Sequence, residues 1–323
     1  MHPVAAIDFG ASNTDVVVRD GGATRHWTLP TEGQPDEARI RRVLEAGGVS
    51  PRDLAWIAVT GGNRALLPSA IDDRVLHRVD EVRAIGRGGL ALAHLESALV
   101  TSAGSGTACV AATGEEAHHV TGTGVGGGTL MGLGRLLLDS VDPREIDALA
   151  QRGTDTTHNL TIAEVLGGAI GSLPPETTAV NFGRVARHPV EASREDTAAA
   201  LVNMVGQVIA LIAINAARAQ QMPHVVIVGH LSDLKSIRRT FGLVAKFYGA
   251  TILTPDDGGS ATAIGALLST DQSLRTGAYP RRPFAADFRA TSPDRGGRGR
   301  PSAWNPVAVW RIPGSRLPCA APP

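Results

Sequence analysis

Aromatic residues make up only 4% of the 323-residue chain, so Val, Leu, Ile and Ala must build the core within a hydrophobic fraction of 43%. Cysteine is scarcer still. Cys109 and Cys319 are the only two, they lie far apart, and neither has metal-type spacing. This excludes a disulfide framework and a zinc site, and a reducing compartment is expected. Lysine is confined to Lys235 and Lys246, the rest of the 31 basic residues being arginine. That reads as composition rather than chemistry. The opening MHPVAAIDFG lacks a basic segment followed by an apolar one, so no signal peptide is expected. The longest apolar candidate, 205–213, is interrupted by Gln207. No membrane span is expected, and the expected setting is the cytoplasm.

Net charge is also missing: 31 basic residues balance 31 acidic ones. The balance is uneven along the chain. Residues 275–323 hold nine arginines against Asp287 and Asp294, about +7, and nine of the twenty prolines. Such a segment cannot bury enough apolar surface to order itself, so 271–323 reads as a disordered tail. It has no interleaved aromatics beyond Trp304 and Trp310, so no nucleic-acid partner is expected.

What the chain has in quantity is glycine, 38 residues, and its densest run is TGTGVGGGTLMGLG at 121–134, with seven glycines in fourteen positions. Each glycine costs backbone entropy on folding and adds nothing to a core. A run of this kind implies close approach of main chain to a partner, most commonly a phosphate held by N–H groups at a loop-to-helix junction. Two similar loops accompany it. One is Asp8-Phe9-Gly10-Ala11-Ser12-Asn13-Thr14, and the other is Ser102-Ala103-Gly104-Ser105-Gly106-Thr107. Three such loops, each beside a strand-like run, make a nucleotide site the leading expectation.

The order of elements supports this. Runs 4–7 and 16–19 read as a hairpin, 37–46 as a helix, and 56–59 as a strand ending on Thr60-Gly61-Gly62-Asn63. A helix is expected over 80–95 and a second hairpin over 99–112 around AGSG. Asp142-Pro143-Arg144-Glu145 and Thr161 to Glu164 open helices with recognisable caps. A long helix is expected over 196–220, apolar around most of its circumference and therefore buried on several sides. A buried strand over 224–228 ends at Gly229, and 258–268 reads as a loop leading into a helix. The sequence thus predicts an α/β chain of two halves, 1–100 and 101–270, each opening on a glycine-turn hairpin.

In order and approximate spacing, Asp8-Phe9-Gly10, Thr60-Gly61-Gly62-Asn63, Val79-Asp80-Glu81-Val82, Gly104-Ser105-Gly106-Thr107, 122–134, Thr178-Ala179-Val180-Asn181-Phe182-Gly183 and 259–267 resemble type II pantothenate kinases. The resemblance covers roughly residues 4–270. It implies a duplicated actin-like ATPase (ribonuclease H-like) fold of the actin–hexokinase–Hsp70 ATPase superfamily, two lobes with a nucleotide cleft between them. It further implies ATP-dependent phosphorylation of the primary hydroxyl of pantothenate, the first step toward coenzyme A. It also implies a homodimer through the long helix.

Carried over by resemblance, Asp8 holds Mg²⁺ through water and Glu81 is the catalytic base. Gly10, Ala11, Ser12 and Asn13, Gly104 to Thr107, and Gly124, Gly126, Gly127 and Gly128 cradle ATP. Asn181, Phe182 and Gly183 lie near the nucleotide and Gly229 near the adenosine. Ser102, His119 and Arg83 are assigned to substrate.

Three departures stand out. Asp15 replaces the family's lysine, Arg83 replaces an acid two residues beyond the base, and His118-His119 occupy the place of the arginine that binds the pantothenate carboxylate. Imidazole lacks the bidentate fork of a guanidinium. Arg83 or Arg87 is the expected replacement charge. The departures leave two alternatives open: a kinase of the same fold with another hydroxyl substrate, and a nucleotide- or coenzyme-A-binding homologue without turnover. An ATPase that activates a partner enzyme would need cysteine ligands for an iron–sulfur cluster, and two distant cysteines do not supply them. Plainer readings stand beside the functional ones. Glu81 suits a helix N-terminus, Gly132 and Gly134 suit packing, His118-His119 suit an exposed turn, and Asn181-Phe182-Gly183 suits a left-handed turn with Phe182 in the core.

Overall fold

Two sheets carry the same strand order. The computed structural model describes residues 2–169 and 173–270, and the backbone of 288–290. In the first half, β1 (Val4–Phe9), β2 (Asn13–Asp20) and β3 (Ala23–Pro30) form an antiparallel meander. Helix α1 (Glu37–Glu45) follows, and β4 (Ile57–Thr60) pairs with β1 in parallel. The two-residue β5 (Ala70–Ile71) precedes β6 (Arg74–Arg78), which extends the sheet in parallel beside β4. Helix α2 (Glu81–Ala93) leads to the second half.

There, β7 (Ser97–Ala103), β8 (Thr107–Thr113) and β9 (Glu116–Thr123) repeat the meander. Helices α3 (Gly127–Leu138) and α4 (Pro143–Ala150) follow, then β10 (Leu160–Thr161), α5 (Ile162–Leu166), β11 (Thr178–Val180) and α6 (Arg194–Ala219). β12 (His224–Val228) runs parallel to β7, α7 (Lys235–Tyr248) crosses over, and β13 (Thr251–Leu253) runs parallel to β12. Helix α8 (Ala261–Thr270) follows, and β14 (Phe288–Ala290) pairs in parallel with β3. The order β3-β2-β1-β4-β6 is thus repeated as β9-β8-β7-β12-β13, which is the expected duplicated actin-like fold.

The duplication extends to single glycines. Gly61 follows β4 at φ +100°, where a Cβ would sit 2.4 Å from the Phe9 carbonyl oxygen. Gly229 follows β12 at φ +94°, where a Cβ would sit 2.5 Å from that of Ala103. Only glycine combines that backbone with that approach. The same requirement at the same joint of both halves holds each parallel strand against the end of its meander's first strand.

Strand alternation distributes the core. Ala5, Ile7, Val16 and Val18 face Trp27 and the apolar side of α1, while Val4, Ala6 and Val17 face Ile264 and Leu267 of α8. In the second half, Leu99, Cys109 and Ala111 meet α6, while Ala98, Val100 and Val110 meet Ile85 and Leu90 of α2. Each half therefore lends a helix to the layer between the sheets. The expected border at residue 100 falls within β7. α2 and α8 cross without room for side chains: a Cβ on Gly88 would lie 1.8 Å from the Ala261 carbonyl oxygen, and one on Gly265 equally close to that of Ala84.

Helix α6 revises one expectation. Its 26 residues are long and apolar enough to cross a bilayer, yet more than half of its most apolar stretch is buried in this fold. It is the central helix of the larger core, covered on several sides as its pattern implied. The expected disorder of 271–323 concerns residues that lie outside those described, apart from the short strand β14.

Candidate active site

The β1–β2 and β7–β8 turns face one another. A cavity of about 360 Å³ lies between them, lined by Gly10, Ala11, Ser12 and Asn13 on one side. Ser102 and Gly104 to Thr107 line the other side. Ser12 Oγ lies 2.6 Å from Ser105 Oγ, which bridges the two turns. Gly229, His230, Gly259 and Thr262 close the wall behind them.

Asp8, near the end of β1, lines this space. Its Oδ1 is buried without a hydrogen-bond partner. Burial pushes its pKa well above the usual carboxylate range, and the nearby charges of Asp15 and Glu81 push it further, against the opposing effect of His230. Asp15, 3% exposed, accepts a hydrogen bond from Thr28 Oγ1 at 2.6 Å and faces His230 Nε2 at 3.0 Å. Burial draws the imidazole pKa down. The hydrogen bond to Asp15 and the charges of Asp15, Asp233 and Asp8 together outweigh that and raise it.

Glu81 is the first residue of α2. Asp80 caps the helix, accepting from the N–H groups of Val82 and Arg83 at 3.0 and 3.3 Å. With that capping done by its neighbour, the Glu81 carboxylate makes no hydrogen bond or ion pair among the described residues. It borders two cavities at once. The second, of about 400 Å³, shares Gly10, Ala11 and Glu81 with the first and extends over Thr14, Thr31, Arg39 and Asn63.

Other expected residues have different surroundings. Gly124, Gly126, Gly127 and Gly128 lie behind the β7–β8 turn instead of lining the cavity; Thr123 is the part of that run that does. The N–H groups of Gly127 and Gly128 donate to the carbonyls of Gly104 and Ser105 at 2.8 and 2.9 Å. A Cβ on Gly126 would sit 2.7 Å from the Ser105 carbonyl oxygen. The run shapes the turn by packing against it, and the Gly127 and Gly128 donors are already in use. Gly132 and Gly134 lie inside α3, and a Cβ on Gly134 would strike Ile146.

Asn181, Phe182 and Gly183 line neither cavity. Phe182 takes φ +56°, stacks edge-on against His158 and packs on the larger core, while Asn181 Nδ2 donates to Gln207 Oε1 at 3.1 Å. His118 and His119 are exposed on β9, the edge strand of the second sheet. Arg83 and Arg87 both bind Glu115, at 3.0 and 3.2 Å, and line neither cavity. The replacement charge expected from them is thus spent on the surface.

Three residues at the site were not foreseen there. In the sequence Asp15 reads only as a missing lysine, and its partner His230 is 215 positions away. Arg39 sits on an ordinary amphipathic helix. Its one sequence signal is an arginine placed among the core-facing positions 39, 40, 43 and 44.

A duplicated fold of this type, with phosphate-type turns from both halves opposed across a cleft and the unpaired carboxylates of Asp8 and Glu81 beside them, fits an ATP-dependent small-molecule kinase of the actin–hexokinase class. Comparison with known proteins narrows the class. Residues 95–255 match the Fumble family. A type II pantothenate kinase of Oceanobacillus iheyensis is 30% identical over 271 residues, covering 82% of this chain and 98% of that protein. One of Bacillus cereus is 29% identical over 171 residues, 53% of this chain and 63% of that protein.

Among solved structures, the activator of the 2-hydroxyisocaproyl-CoA dehydratase from Clostridium difficile with bound ADPNP superposes with a TM-score of 0.56 at 16% identity. That match covers 87% of this chain and 98% of the activator. The (R)-2-hydroxyglutaryl-CoA dehydratase component A of Acidaminococcus fermentans gives 0.55 at 15%, covering 83% and 97%. These two speak for the fold alone. The chain belongs to the type II pantothenate kinase family.

Proposed function

We propose that this protein transfers the γ-phosphoryl group of ATP to the primary hydroxyl of pantothenate, with Glu81 as the general base. The observation that carries this is the position of the Glu81 carboxylate, unpaired and bordering both cavities, one bounded by phosphate-type turns and the other free for an acceptor. The turns at 10–13 and 104–107 orient the triphosphate. Glu81 accepts the hydroxyl proton as the acceptor oxygen bonds to the γ-phosphorus and the bond to the β–γ bridging oxygen breaks, releasing ADP.

Asp8 fits a divalent cation. Its Oδ1 is buried and unpartnered among acidic neighbours. Among the described residues no three ligating side chains cluster. Mg²⁺, which keeps several waters and takes few protein ligands, suits such a site. When bound, the ion supplies charge neutralisation for the phosphates.

A cytoplasmic homodimer completes this reading. The adjacent exposed Leu136 and Leu137 of α3 support it, being apolar surface that a second copy would cover. A coupled assay of ADP release with pantothenate tests the reaction. Wild type should turn over, and Glu81→Gln should lose about 10²- to 10⁴-fold in kcat. Equal rates in the two proteins would remove Glu81 from its role, and no release by wild type would sink the reading.

A further inference from the structure

The departure at residue 119 leaves the acceptor's carboxylate without its expected arginine. The second cavity contains another. Arg39 is the one Lys or Arg lining either cavity among the described residues, and it is only 5% exposed. We propose that Arg39 is the anion anchor of the acceptor site, so that the substrate lies in the second cavity with its carboxylate on Arg39 and its hydroxyl at Glu81. This rests on the kinase reading above and assigns the acceptor subsite within it.

The guanidinium is held in place but not used up. Nη2 donates to the Pro30 carbonyl and to Thr14 Oγ1, and Nη1 donates to Glu32 at 3.3 Å. One N–H on Nη1 and the Nε–H are left; they lie on different edges of the guanidinium, so a carboxylate gains one charge-assisted hydrogen bond from either. Glu32 is a weak counter-charge: its side chain is 69% exposed and it is shared with Arg42. A buried guanidinium balanced by a single solvated carboxylate makes a positive wall, and burying it without a better partner is costly. An incoming carboxylate supplies that partner.

The anchor is also wired to the phosphate turn. Thr14 Oγ1 lies 3.1 Å from Thr31 Oγ1, and Thr31 Oγ1 donates to the Gly10 carbonyl at 2.8 Å. Arg39 is therefore held in register with the turn facing the γ-phosphate. Pantothenate carries its primary hydroxyl and its carboxylate at opposite ends, and the second cavity has both Glu81 and Arg39 in its lining.

The test compares pantothenate with panthenol, the same molecule with hydroxymethyl in place of the carboxylate. Calorimetric binding of both is measured for wild type, Arg39→Gln and Glu32→Gln, and turnover is measured separately. Arg39→Gln should weaken pantothenate binding about tenfold to a hundredfold and leave panthenol unchanged. Glu32→Gln alters an exposed residue and spares the fold. By freeing Arg39 it should tighten pantothenate binding while leaving panthenol unchanged. Should Arg39→Gln fail to fold, the pantothenate-to-panthenol affinity ratio of Glu32→Gln decides. Parallel effects on both ligands, or a ratio unmoved by Glu32→Gln, overturn the assignment even if the enzyme is a pantothenate kinase. Arg39-dependent binding without ADP release would instead overturn the kinase reading and leave this subsite standing.

Discussion

His230 Nε2 lies 3.0 Å from both carboxylate oxygens of Asp15. The pair joins the second strand of the first half to the segment after β12 in the second, across the base of the cleft. It stands where the family resemblance leads one to expect a lysine. A lysine would add a positive charge to the phosphate site, whereas a paired histidine and aspartate add none. Among the described residues, the one Lys or Arg lining either cavity is Arg39, on the acceptor side.

This pair predicts a pH-dependent contribution to stability. Because the folded-state pKa of His230 is raised, the contribution is fully present below the unfolded value of 6.5 and is lost as pH rises through the folded value. The Tm gap between wild type and His230→Gln should be larger at pH 6 than at pH 9. A gap of the same size at both would contradict the ionic pairing.

Asp8 should trade stability against activity. Its raised pKa means that the folded protein loses stability as pH rises from 3.8, the ordinary aspartate value, through the folded-state value. At pH 7, in cation-free buffer, Asp8→Asn should therefore melt at a higher temperature than wild type, while its turnover falls by orders of magnitude. Melting with and without Mg²⁺-ATP extends the test: wild type should gain Tm and the variant should gain little. A less stable Asp8→Asn would contradict the argument from burial.

The crossing of α2 and α8 should tolerate no methyl group. A Cβ on Gly88 or Gly265 would penetrate the opposing main chain at 1.8 Å. Gly88→Ala and Gly265→Ala should each cost about 1–3 kcal/mol or more by overpacking. Gly62→Ala, with no atom within 4 Å of its Cβ, serves as the control. Chemical denaturation measures all three, and equal losses would show that the crossing can yield.

The Ser12–Ser105 bridge should couple the two turns only while the phosphate site is empty. A double-mutant cycle of Ser12→Ala and Ser105→Ala should give about 0.5–1.5 kcal/mol of coupling without nucleotide. With saturating ATP the coupling should shrink toward zero, because phosphate oxygens compete for both hydroxyls. Coupling that ATP leaves unchanged would mean that nucleotide binds without touching this pair.

Much of this was legible in the chain. Hairpins, helix caps and glycine turns depend on neighbours within a few residues. The expected strands at 4–7, 16–19 and 224–228 and the capped starts at Asp142 and Thr161 are accordingly found in place. The Asp8, Glu81, 10–13 and 104–107 positions, far apart in the chain, meet at one cavity. The role of the densest glycine run was less legible. Its composition says that main chain comes close to something, and it does not distinguish a phosphate from the carbonyls of Gly104 and Ser105.

Sequence alone determined the duplicated α/β plan, because alternation, caps and glycine turns act over short spans of chain. Tertiary structure alone decided which charges meet: Asp15 with His230, Arg83 and Arg87 with Glu115, and Arg39 with a cavity it shares with Glu81. Ion pairing depends on distance in space and on burial. Both are fixed only when the two sheets and their exchanged helices have packed.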